Sequence, residues 1–345
     1  MNRIVSIVFS GLILGSLLLS GCAMPVATLA PAQPAPTEAL VATPAATPAA
    51  EFPVLKIGTQ PWIGYGPWWI ALEKGFFEKH GIKAELVDFV TDQDLNAALA
   101  AGQFDGANIA THTSVYLINA GVPLKLVLLE DASFEADAII AGPGIDTIAD
   151  LKGKKVAFEE GTTSDLLLSF ALMENGMTKD DIEVVPMPAA DAGAAAVAGR
   201  VDAAVTYEPY ISAALSKGKD YRIIYSAAVK PGLIGDYLAF PENVLQEKGD
   251  QVRAMLLAWQ DAMEFLTTNP DEGQRIIADA VGSDLEEFKL AWQGVKLYDL
   301  EENRQMFQGE AQDTYAEVCK VLLASGAVKS VPEPDTVIDP SYLPK

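Results

Sequence analysis

Ala100-Ala101-Gly102-Gln103-Phe104-Asp105-Gly106-Ala107 and Val197-Ala198-Gly199-Arg200-Val201-Asp202-Ala203-Ala204 lie 97 residues apart and read as one unit used twice. In each, small apolar residues end a helix, a glycine stops it, and an aspartate opens a short apolar strand. The elements before each unit repeat too. Leu55-Lys56-Ile57-Gly58 reads as a buried strand, followed by an apolar-periodic helix through Ala71 to Gly75 and a second strand at Ala84-Glu85-Leu86-Val87. Lys155-Val156-Ala157-Phe158, the helix Ser164 to Glu174 and Ile182-Glu183-Val184-Val185 follow the same order. Two related α/β lobes are the expected consequence.

The runs Ala136 to Ala141 and Asp236 to Phe240 are extended and apolar, and they are expected to carry the chain out of the first lobe and back. On this reading residues 54–138 and 239–345 form the first lobe and 139–238 the second. From Asn243 onward amphipathic helices are expected to pack on the first lobe, with Leu245, Val252, Leu256, Trp259 and Phe265 marking their buried faces.

The chain begins with Asn2, Arg3 and an apolar stretch from Ile4 to Leu19, the pattern of an export signal over residues 1–21. The stretch is shorter than the roughly 20 residues that a membrane span requires. Leu19-Ser20-Gly21-Cys22 resembles the lipobox of bacterial lipoproteins, which implies lipid attachment at Cys22. Residues 22–53 are dominated by alanine, proline and threonine, too poor in large apolar groups to form a core, and read as a disordered tether. With Cys22 acylated, Cys319 has no disulfide partner and reads as a small core residue.

The formal charge of −23 becomes −24 when Arg3 leaves with the signal, which excludes nucleic acid as a partner. His80 and His112 are the two histidines, too few for a transition-metal site with one free thiol. No phosphate-cradling Gly-x-x-x-x-Gly-Lys, His-Glu-x-x-His or Gly-x-Ser-x-Gly sequence is present. Neither a cofactor nor an enzymatic activity is expected.

Gln60-Pro61-Trp62-Ile63-Gly64-Tyr65-Gly66-Pro67, Ala101 to Asp105, Glu159-Glu160-Gly161-Thr162-Thr163-Ser164, Met187 to Asp191 and Thr206-Tyr207-Glu208-Pro209 together resemble a family of ABC-importer substrate-binding proteins. That family serves taurine, sulfonate, nitrate, thiamine-pyrimidine and riboflavin uptake, and the resemblance covers nearly the whole mature chain. It implies an α/β, two-lobed type II periplasmic-binding-protein fold with two hinge crossovers. It also implies an extracytoplasmic, lipid-anchored monomer that hands a small molecule to a permease and its ATPase subunits.

In such folds the ligand lies beyond the carboxyl ends of the strands. Loops 59–69, 108–114, 130–137, 160–165 and 206–210 are therefore expected to line the cleft, and they contain the tryptophans and tyrosines Trp62, Tyr65, Trp68, Trp69, Tyr207 and Tyr210 and seven acidic residues but no lysine or arginine. A nitrate or sulfonate site normally offers a cation or dense N–H donors. Aromatic faces with carboxylate acceptors suit a planar, mostly neutral heterocycle, with riboflavin placed first, a thiamine pyrimidine second and a sulfonate or nitrate as the alternative. The candidate ligand residues are Trp62, Tyr65, Trp68, Asn108, Thr111, Asp131, Gly161, Thr162, Thr163, Ser164, Tyr207 and Glu208. Of these, Gly161 to Ser164 equally suit an ordinary helix cap, with Asp165 in the first turn competing against an anion. An enzyme resembling thiamine-pyrimidine synthase is the reading from another class, although the candidate loops lack its cofactor lysine and hold only His112.

Overall fold

The computed structural model describes residues 52–345. The export segment, Cys22 and the tether as far as Glu51 lie outside the described residues. Eleven strands alternate with helices: β1 Val54–Thr59, β2 Lys83–Asp88, β3 Gly106–Ala110, β4 Leu124–Ser133, β5 Asp137–Ala141, β6 Lys155–Phe158, β7 Glu183–Pro186, β8 Ala203–Tyr207, β9 Arg222–Ser226, β10 Gly235–Pro241 and β11 Val295–Leu297. They form a six-stranded sheet ordered β11-β4-β10-β3-β1-β2 and a five-stranded sheet ordered β7-β6-β8-β5-β9.

The repeated sequence unit performs the same task in both sheets. Gly102 and Gly199 close their helices at φ +68° and +70°, a region that L side chains rarely adopt. Asp105 then accepts the Lys56 N–H through its carboxylate at 2.9 Å and donates its own N–H to the Lys56 carbonyl at 2.8 Å. Asp202 does the same with Lys155, at 2.8 and 2.9 Å. Each aspartate thus sets a parallel register, Ile57 opposite Gly106 in one sheet and Val156 opposite Ala203 in the other. The strand orders β2-β1-β3-β10 and β7-β6-β8-β5 correspond, each ending on an antiparallel neighbour.

The passages between sheets differ from the expected positions. Ala136–Ala141 and Asp236–Phe240 are not crossings: β5 pairs with β8 and β9 inside the second sheet, and β10 pairs with β3 and β4 inside the first. A boundary at 138/139 or 238/239 therefore cuts through a strand. The chain changes sheet at 134–136 and at 227–234. Long apolar runs are what central strands require, because both of their faces are covered.

The crossings are tied to each other and to the first sheet. Ser133 donates its N–H to the Ile234 carbonyl at 2.9 Å, and Phe134 and Glu135 donate theirs to the Gly294 carbonyl at 2.8 and 3.2 Å. Glycine is required at 294, where a Cβ would lie 2.7 Å from the Ala136 nitrogen. The helix Glu242–Thr268 packs on the first sheet through Leu245, Val252, Leu256 and Trp259, all buried, while Phe265 is half-buried. The helix Glu310–Ala324 shares a core cluster with Thr163–Glu174 of the second half, through Val318, Val321 and Leu322 beside Leu168 and Leu172. Cys319 lies in that cluster, and burial pushes its thiol up to about 11.

Candidate functional site

The chain leaves β1 at Thr59 and turns through Gln60-Pro61-Trp62 into a short 3-10 turn, Ile63–Tyr65, before the helix Gly66–Lys74. Pro67 opens that helix where no N–H partner is needed. The Trp62 indole nitrogen reaches both oxygens of Asp131 at 3.2 Å. Gly64 makes this possible, since a Cβ there would lie 2.1 Å from the Asp131 Oδ2.

Asp131 sits at an irregularity in β4. Asp236 pairs with Asp131 and Tyr237 with Leu129, leaving Glu130 as an extra residue between them. Strict alternation sends neighbours to opposite sides of a sheet, whereas a bulge re-aims one of them. Here both turn toward the same segment: Asp131 meets Trp62, and Glu130 accepts the Trp68 indole N–H.

Four acids are consequently buried together at the changeover: Glu130 and Asp131 on β4, Asp137 on β5 and Asp236 on β10, none more than 5% exposed. None belongs to an ion pair among the described residues. Burial pushes the Glu130 carboxyl well above the ordinary range, and Asp236 adds to the effect. Burial likewise raises Asp131, helped by Glu130, and raises Asp236, helped by Asp131 and Asp137. Asp137 is raised to about 6 by burial, against the opposing pull of the Ser133 and Thr163 hydroxyls. Tyr65, 3% exposed, has its hydroxyl raised by burial and then by Asp236, Glu130, Asp131 and Asp92.

The opposite wall comes from the second sheet. Tyr207, the last residue of β8, meets the Trp62 ring edge to face with centroids 6.3 Å apart, and Tyr210 stands edge to face with Tyr207 at 5.3 Å. Trp62, Tyr65, Asp131 and Tyr207 thus belong to one constellation that joins the two sheets. Trp68 does not: it is fully buried in the first core, stacked on Phe77 and packed against Trp259.

Other expected ligand contacts are occupied by the fold. Asn108 donates to the Thr59 hydroxyl at 2.9 Å, and Thr111 donates to the Gly235 carbonyl at 2.8 Å. Glu208 accepts the Ser212 N–H and hydroxyl at 3.1 and 2.8 Å and so caps the helix Tyr210–Lys217. At the Gly161 turn, Asp165 takes the Gly161 N–H at 3.0 Å and Thr162 takes the Ser164 N–H at 3.3 Å. Lys179 pairs with Asp165, Thr163 opens the helix Thr163–Glu174, and the Ser164 hydroxyl is buried without a partner. The turn therefore spends much of its anion-binding capacity on its own acid. His112, 1% exposed, is lowered to about 4 by burial, so its ring is neutral at pH 7.

Sequence reasoning passed over the end of β2. Asp92, in the first turn of the helix Asp92–Ala100, is raised by burial against a hydrogen bond to Gln60, with Glu159 across from it. The strand-end rule that selected the other loops extends to this one.

Two sheets joined by paired crossings, with side chains from both meeting at the changeover, define the class of periplasmic binding folds. The structure of the periplasmic aliphatic sulphonate binding protein SsuA from Escherichia coli superposes with a TM-score of 0.69 at 23% identity, over 82% of this chain and 96% of that one. The chain belongs to the NMT1/THI5-like family, whose profile matches residues 62–273.

Among curated relatives, a putative binding protein of Brucella abortus is 30% identical over 223 residues, 61% of this chain and 65% of the relative. A putative aliphatic sulfonates-binding protein of Escherichia coli is 30% identical over 213 residues, again 61% and 65%. The riboflavin-binding protein RibY of Chloroflexus aurantiacus is 26% identical over 264 residues, 74% of this chain and 73% of the relative. The matched region thus spans about two thirds of the Brucella and Escherichia proteins.

Proposed function

We propose that the chain is the substrate-binding component of an ABC importer, exported, lipid-anchored through Cys22 on the extracytoplasmic face, and monomeric. It captures a small planar nitrogen heterocycle between its two sheets and presents it to the permease and its ATPase subunits. The observation that carries this reading is the Trp62–Asp131–Tyr207 contact, in which an aromatic face and a carboxylate from one sheet meet an aromatic face from the other. Riboflavin stands first and a thiamine pyrimidine second, because both offer a flat ring with N–H or O–H donors to buried acceptors. The resemblance to RibY supports riboflavin as a candidate.

The resemblance to sulfonate-binding proteins supports the other reading, a sulfonate or nitrate held at the Gly161 turn. Asp165 on the Gly161 N–H and the four buried acids weigh against an anion there.

Binding is expected to work by population shift: a ligand that touches both sheets stabilises the arrangement in which they meet. X-ray scattering of the protein with and without a bound heterocycle is expected to show a smaller radius of gyration in the complex. An unchanged radius on saturation with a ligand that binds would contradict closure between the sheets.

A further inference from the structure

We propose that the molecule held between the sheets is an organic cation, its positive nitrogen seated against Asp131 and Asp236 and its apolar body lying on Trp62, Tyr207 and Tyr210. This rests on the reading of the changeover as a ligand site, adds the charge of the ligand, and within that reading places a protonated aminopyrimidine ahead of riboflavin, which is uncharged at pH 7.

The acids alone do not make a site, and the polar groups around them supply the second observation. Among the described residues, Glu130 and Ser133 are fully buried, yet the Glu130 Oε2 and the Ser133 hydroxyl have no hydrogen-bond partner. The Ser133 hydroxyl lies beside Asp137, and Glu130 faces Asp236. Asp131 receives the Trp62 indole, Asp131 and Asp236 lie within hydrogen-bond reach of each other, and the Ser133 and Thr163 hydroxyls bear on Asp137, so four acids share these few donors and no cation among the described residues. Folded proteins satisfy most buried polar groups, so a cluster left this short of donors points to a donor from outside the chain.

Charge decides which kind of donor. Asp131 and Asp236 stand directly opposite each other across β4 and β10, and Asp131 raises the Asp236 carboxyl, because ionising both would set like charges in cross-strand positions that repel. A neutral N–H donor fills one lone pair and leaves that repulsion in place, whereas one positive charge between the carboxylates lowers the energy of both. A small metal ion does not fit, because no three acidic, histidine or cysteine groups among the described residues are arranged to ligate one. The cation is therefore larger, and the aromatic wall suits it: ring faces attract ammonium and amidinium groups, and aromatic cages are a recurrent way of holding them. With Trp62 already bonded to Asp131, ring and carboxylate act on the same part of the ligand.

The test uses probes of similar size and shape that differ in charge, added to the full chain in mild detergent while unfolding is followed by heating. Benzamidine is compared with benzamide and benzoate, and choline with 3,3-dimethylbutanol and 3,3-dimethylbutanoate. A cation is expected to raise the melting temperature where its neutral and anionic partners do not. Asp236→Asn, which removes an unpaired charge and so folds, is expected to weaken that cation's binding about 100-fold, the loss typical of deleting one partner of a buried charge contact. Trp62→Leu is expected to weaken it as well, through the lost ring face.

The proposal is overturned if no cation raises the melting temperature, if a neutral or anionic partner raises it equally, or if Asp236→Asn leaves the cation's effect intact. Riboflavin binding with compaction and no response to cations would remove the charge assignment and leave the importer reading standing. Silence from these probes, riboflavin, the thiamine pyrimidine and the anions alike would remove both.

Discussion

Asp236→Asn is expected to raise the stability of the ligand-free protein at pH 7 by about 1–3 kcal/mol, the range over which an unsatisfied buried group costs stability. Asp236 is 5% exposed, its carboxyl is raised by burial and by Asp131, and no cation pairs with it among the described residues. The sign follows from linkage. An aspartate in the unfolded chain ionises near pH ~3.9, so between that value and its raised folded pKa the native state holds a proton that the unfolded state has released. The stabilisation from a raised carboxyl is present at acid pH and is lost as pH rises toward the folded value.

For Asp137, raised to about 6, the loss between pH ~4 and pH ~6 amounts to about 3 kcal/mol. Glu130, Asp131 and Asp236 shift in the same direction. Asp181 and Asp261 are lowered and act oppositely, but both are closer to solvent and carry less weight. Thermal unfolding across pH is therefore expected to show a higher melting temperature near pH 5 than at pH 7, with the gain from Asp236→Asn disappearing near pH 4. A melting temperature that falls steadily from pH 7 to pH 5, or an Asp236→Asn protein less stable than its parent at pH 7, would contradict the burial of these acids without a counter-charge.

Gly64→Ala is expected to destabilise the fold by about 1–3 kcal/mol through overpacking and to abolish ligand binding. The added methyl would lie 2.1 Å from the Asp131 Oδ2 and 2.5 Å from the Trp62 indole nitrogen, so the two groups joined across the site must separate. The effect belongs to one contact, which a double-mutant cycle isolates. In an Asp131→Ala background the closer clash is gone and the Trp62 indole, released from its hydrogen bond to Asp131, is free to shift from the methyl, so Gly64→Ala should then cost less stability. Equal costs in both backgrounds would place the strain elsewhere.

These effects concern residues that the sequence reveals unevenly. Asp105 and Asp202 were visible as a repeat, and their hydrogen bonds to Lys56 and Lys155 show why it is legible: the same local unit starts the same parallel pairing in each sheet. The crossings were displaced because an extended apolar run looks the same whether it bridges two sheets or lies at the centre of one. Only its pairing partners distinguish these cases, and they are distant in the chain.

The strand-end loops single out Trp62, Tyr65, Asp131 and Tyr207, which lie together at the changeover. They single out Trp68 as well, which lies in the core instead, because a position at the start of a helix does not tell the core-facing side from the cleft-facing one. Glu130 and Asp131 are neighbours that alternation would separate, and the extra residue that brings both toward Trp62 and Trp68 leaves no periodic signal. Asp92 carried a signal that went unread, since it follows a strand end just as the other loops do.

The central claim is that a planar nitrogen heterocycle, not a sulfonate or an inorganic anion, occupies the site built by Trp62, Asp131 and Tyr207. It is tested most directly by thermal unfolding of the full chain in detergent with riboflavin, the thiamine pyrimidine, taurine, an alkylsulfonate and nitrate, because a ligand that binds only the native state raises its melting temperature. A rise with riboflavin or the pyrimidine, and none with the sulfonate or nitrate, is the expected result. A rise with taurine, the sulfonate or nitrate alone would contradict it and assign recognition to the Gly161–Ser164 turn.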